Sequence, residues 1–78
     1  MSAPGQPRRD AAGAACRNAA IELAEIHNRV AAALAEVRSE ISDTTAVEIR
    51  GALHCINRAA AFLDEAADDL YRDEEEQE

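Results

Sequence analysis

Lysine and tryptophan are absent from this 78-residue chain, and phenylalanine and tyrosine occur once each. Fourteen Val, Ile, Leu and Phe residues stand against nineteen Ala, so there is little bulky apolar material for a core. A chain this short has a modest core at best, and this composition implies that a second copy or a partner completes it. With lysine missing, all eight basic residues are Arg. Together with the Ala excess, this matches GC-rich coding of a bacterial or phage kind.

Other absences narrow the function. There is no run of 18 apolar residues and no N-terminal apolar segment, which excludes a membrane span and a signal peptide from the reading. Two cysteines without framework spacing suit a reducing, cytoplasmic setting. No CxxC, HxxxH or HxxE spacing occurs, so no metal site is expected within the chain. His54 and Cys55 are adjacent, and neighbours on a helix point about 100° apart, too far to share one ion. A Gly-rich phosphate loop and a nucleophile with a plausible base are also lacking. No cofactor and no enzymatic activity are expected.

Positive charge is scarce at one end. The net charge is −8, and residues 61–78 carry nine acids against one Arg. Such a chain repels nucleic acid overall, so direct nucleic-acid binding is not expected.

What is present is helical periodicity. Residues 1–10, with two Pro and a Gly, read as a flexible arm, with Pro7 suited to a first helical position. From about 11 to 41, Cys16, Ala20, Leu23, His27, Val30, Leu34, Val37 and Ile41 recur at alternating spacings of four and three. Glu25 and Arg29 are placed for an i,i+4 ion pair. "SEISDTT" then supplies turn and cap formers, with a turn expected at about 42–44. Thr45 with Glu48 fits a capping box, and Asp43 is a rival cap. A second helix is predicted over about 45–72, with Ala46, Ile49, Leu53, Ile56, Ala60, Leu63, Ala67 and Leu70 on its seam. Gly51 falls on the outer face, at a helix cost of about 1 kcal/mol relative to Ala, and nothing in the sequence explains it. Residues 73–78 read as an acidic, disordered tail, because acids oppose the macrodipole at a helix C-terminus.

The expected fold is therefore all-α: an antiparallel two-helix hairpin. Pairing residue 41 with 46 sets Cys16 opposite Tyr71. Beside the second seam runs another stripe, Ala52, Cys55, Ala59, Phe62 and Ala66, and Ile26 widens the apolar arc of the first helix. One partner helix cannot cover both stripes. These six residues form the expected interface of a homodimeric four-helix bundle, and a heteromeric partner helix is the rival occupant.

"LDEAADDLYR", Leu63–Arg72, resembles the C-terminal helix of the Rop family of plasmid RNA-binding proteins. The resemblance covers about ten residues and implies a dimer of helical hairpins. It does not extend to the RNA role, because Arg17, Arg29 and Arg38 are scattered among Glu22, Glu25 and Glu36.

Two further features bear on function. His27 occupies a seam position; it reads either as a core-edge histidine or as a switch in the bundle. Asp64, Glu65, Asp68, Asp69, Asp73, Glu74, Glu75 and Glu76 form an acidic surface. It is a solubilising tail, a contact for a basic protein, or a nucleic-acid mimic. Arg8, Arg9 and Arg17 lie at the same end of the hairpin, positioned to clasp it. The expected function is a small acidic protein-binding module, a homodimeric regulator or inhibitor. The alternative is an acidic mimic that blocks a nucleic-acid-binding protein.

Overall fold

A computed structural model describes residues 6–72. Helix α1 spans Gln6–Val37, a 3-10 turn covers Arg38–Glu40, and helix α2 spans Asp43–Tyr71. The two helices pack antiparallel as a single hairpin, 60 × 19 × 12 Å in extent. No helix is long and apolar enough to cross a membrane among the described residues.

The helix boundaries differ from the sequence reading in three places. First, α1 begins at Gln6, so residues 6–10 are helix and not arm. Pro7 lies in the first turn, where its missing N–H has no helical partner to lose. Arg9 then ties this turn to the other helix, as described below. Second, α1 ends at Val37 and tightens into the 3-10 turn before Ile41. Val37 thereby leaves the seam and is 38% exposed. Third, the cap of α2 is Ser42, neither Asp43 nor Thr45: its Oγ accepts from the Thr45 N–H at 3.1 Å. Asp43 instead accepts from Arg38 Nη2 at 2.7 Å across the turn. The expected Glu25–Arg29 pair is not formed. Residues 1–5 of the expected arm, and the tail at 73–78, lie outside the described residues.

The seam of α2 holds as read: Ala46, Leu53 and Ala67 are buried, and Ile49, Ile56, Ala60, Leu63 and Leu70 are half-buried. Leu34, Ala46 and Leu53 form the core, with Val30, Ala31, Ile41 and Ile49 packed around it near the turn. The described residues bury five hydrophobic side chains in all, and three of these are alanines. The clustered core thus lies at the closed end of the hairpin, while Ala20 and Ala67 are buried towards the open end, which polar contacts also tie together.

Candidate interaction surface

The open end is built around three residues of α1. Arg9 Nη2 donates to the carbonyls of Asp69 and Arg72, at 3.3 and 3.2 Å. These oxygens lie at the C-terminal end of α2, where carbonyls lack i+4 donors and a cation is favoured; the Asp69 carbonyl also accepts from the Arg72 N–H at 3.3 Å. One turn further in, the Tyr71 ring lies over Gly13. Next, Arg17 Nη2 donates to Asp68 Oδ1 at 2.6 Å, its Nε lies 3.9 Å from Asp64 Oδ1, and its guanidinium sits 5.9 Å from the Tyr71 ring centroid. The bond to Asp68 chiefly raises the Arg17 pKa, with Asp64 and Tyr71 adding to it. Arg17 Nε is itself shielded and lacks a hydrogen bond, because Asp64 is too distant to accept one.

These contacts fix the register. The Tyr71 ring meets Gly13 and lies near Arg17, on either side in sequence of Cys16, the residue expected opposite it. They also divide the hairpin into two broad sides. In an antiparallel pair, corresponding flanks of the two helices share a side. Gly13, Arg17, Asp64, Asp68 and Tyr71 occupy one side. At ~100° per residue, Ile26, Ala52, Cys55, Ala59, Phe62 and Ala66 fall on the other.

That second side is apolar and largely uncovered. Phe62 is 57% exposed and Ile26 39%. Ala52 and Cys55 are exposed, and Ala59 and Ala66 are half-buried. The Gly13–Tyr71 register puts Ile26 level with Arg58, so Ile26, Cys55, Ala59 and Phe62 lie near the middle of the hairpin. Phe62 is partly screened by Arg58, whose guanidinium lies 5.6 Å from the ring centroid. Ile21 and Val47 are also exposed but lie outside this side, pointing away from the seam.

The acidic residues are divided in a way the sequence did not foretell. Asp64 and Asp68 face Arg17, and Asp69 Oδ1 lies 3.7 Å from Arg72 Nη1. Glu65 is exposed beside them, in a shallow depression lined by Glu65, Asp68, Asp69 and Arg72. Asp73, Glu74, Glu75 and Glu76 lie outside the described residues. His27 is half-buried on the seam, as its spacing predicts. Cys16 is half-buried and Cys55 exposed, both as free thiols. Among the described residues, no group of three or more His, Cys, Asp and Glu side chains is placed to hold a metal ion.

The sequence reading placed Arg9 to clasp the acidic side chains, whereas it bonds the backbone carbonyls of Asp69 and Arg72. It also missed the Tyr71–Gly13 contact, for which a glycine within a helical run was the available signal. Comparison with known proteins finds no matching family model, characterised protein or solved structure, so the Leu63–Arg72 likeness stands on sequence alone.

Proposed function

We propose that this chain is a non-enzymatic protein-binding module: a homodimer of helical hairpins, closed into a four-helix bundle, that regulates or inhibits another protein. The observation that carries the dimer is the apolar side bearing Ile26, Cys55 and Phe62, set on a hairpin with five buried hydrophobic residues, mostly alanine. Association through this side supplies the core that the isolated hairpin lacks.

Dimerisation through the apolar side leaves the acidic end of each hairpin free for a partner. Among the described residues of α2, Glu65 and Asp69 are exposed carboxylates there that Arg17 does not engage. They suit a basic protein surface. The mimic reading draws on the same carboxylates, but Arg17 sits among Asp64 and Asp68 and interrupts their negative field. An RNA-binding role is weaker again: Arg9, Arg17 and Arg38 are engaged by carbonyls or carboxylates, and Arg58 lies over Phe62.

Phe62→Asp and Asn57→Asp add the same charge to α2, one on the apolar side and one on the opposite flank. Light scattering should show Phe62→Asp dissociated and Asn57→Asp dimeric; equal behaviour of the two contradicts the assigned side. For the partner, Glu65→Lys with Asp69→Lys should abolish capture of a basic protein from the native host while leaving the dimer intact. Unchanged capture removes the acidic end from the reading.

A further inference from the structure

We infer that the acidic stretch following α2, residues 73–78, docks back on the first turns of α1, with its carboxylates against Arg8 and Arg9. This contact is made within one chain and needs neither the dimer nor the partner proposed above.

The geometry comes from helices that end out of step. Tyr71, the last residue of α2, lies against Gly13 and near Arg17. Helix α1 therefore runs on past the end of α2 through residues 6–12, about 10 Å at 1.5 Å per residue. On this overhang Arg8, Arg9 and Ala12 line a shallow depression that Leu70 of α2 completes.

The charge of the overhang is uncompensated. Arg8 makes no hydrogen bond or ion pair among the described residues. Arg9 uses only Nη2 to reach the carbonyls of Asp69 and Arg72, which leaves the N–H donors of Nε and Nη1. Both cations stand at the positive end of the α1 macrodipole, where an anion is favoured, and the first turn of α1 contains no acid. Asp10 lies about 200° round the helix from Arg8, on the other flank.

Residues 73–78 supply five carboxylates in six positions. In sequence they follow Asp68, Asp69 and the negative end of α2, all of which repel them. Placing them on Arg8 and Arg9 relieves both helix ends at once. The distance is short. The Arg72 carbonyl that accepts from Arg9 Nη2 at 3.2 Å belongs to the peptide group joining Arg72 to residue 73. Arg72 itself is extended, at φ −69° and ψ 135°, so the chain has left the helical path there. Six residues reach up to about 20 Å at about 3.3–3.6 Å each, twice the overhang. So short a tether holds the carboxylates at an effective concentration on the order of millimolar, which favours them over the same segment of a second copy at micromolar protein. Exposed ion pairs are individually weak and screened, so salt should release the contact.

The test places a nitroxide label at residue 77 (Gln77→Cys, with Cys16→Ser and Cys55→Ser), which keeps all five acids, and reads the broadening of backbone amides by NMR. Broadening at residues 6–12 should fall several-fold in Arg8→Gln, and equally in the variant with Glu74→Gln, Glu75→Gln and Glu76→Gln. It should also fall in about 0.5 M salt. Circular dichroism checks that each variant is helical. Broadening at residues 6–12 that is the same with and without Arg8, or the same at low and high salt, overturns the contact. Mixing labelled chains with isotope-enriched unlabelled ones should leave residues 6–12 sharp. Broadening there in the mixed sample, as strong as within one chain, assigns the segment to a second copy and overturns the intramolecular docking.

Discussion

The Tyr71 ring of α2 rests directly on the backbone of Gly13 in α1. A methyl group at residue 13 would stand 3.1 Å from both Cε1 and Cζ of the ring. The glycine thus leaves the space that the ring occupies, and the ring helps hold the open end of the hairpin together.

Gly13→Ala combines two opposed effects: a helix gain of about 1 kcal/mol and a crowded ring. Tyr71 is 42% exposed and can swing outward. The gain should therefore appear nearly in full in a Tyr71→Ala background and be clearly smaller in the wild type. A thermal double-mutant cycle reads the difference. Equal gains in both backgrounds would mean that the contact carries no energy.

Arg9 links the first turn of α1 to the last carbonyls of α2. Arg9→Ala should lower amide-exchange protection at residues 6–10 and 69–72 together, with no change around Leu34 and Leu53. Loss confined to α1 would show that the bonds to Asp69 and Arg72 do not hold the α2 terminus.

Arg17 and Asp68 form an exposed ion pair, with side chains 43% and 68% accessible. Screening by salt should therefore erase most of what it contributes. Arg17→Met, which keeps much of the aliphatic stem, should lower Tm slightly at low ionic strength and negligibly at molar salt. A deficit that persists at high salt would assign the effect to packing on Tyr71.

Ser42 caps α2 through its Oγ. Ser42→Ala should cost about 1 kcal/mol. Glu48→Ala, which removes only the capping box expected from sequence, should cost much less. Urea unfolding of the two variants distinguishes these caps.

The α2 seam was legible because small and large apolar residues alternate at helical spacing from Ala46 to Leu70 with no competing pattern. The start of α1 was not, because Pro7 and its polar neighbours resemble a linker. Their helical state is accompanied by Arg9 reaching carbonyls some sixty residues away, a contact that local propensity does not encode. The cap was misplaced for a related reason. "SDTT" offers four adjacent side chains able to cap, and the choice depends on where the 3-10 turn leaves the backbone. The apolar side could be drawn from the wheel, but its relation to the acidic end could not. That depended on Arg17 pairing with Asp68 and Tyr71 meeting Gly13, which fix the register between helices.

In the proposed dimer a second copy covers the apolar side of the hairpin. Sedimentation equilibrium of the wild-type protein at micromolar concentration tests it most directly. The dimer should show a mass twice that of the 8.4 kDa chain, falling to the single-chain mass for Phe62→Asp. A wild-type protein that remains folded at the single-chain mass would contradict it.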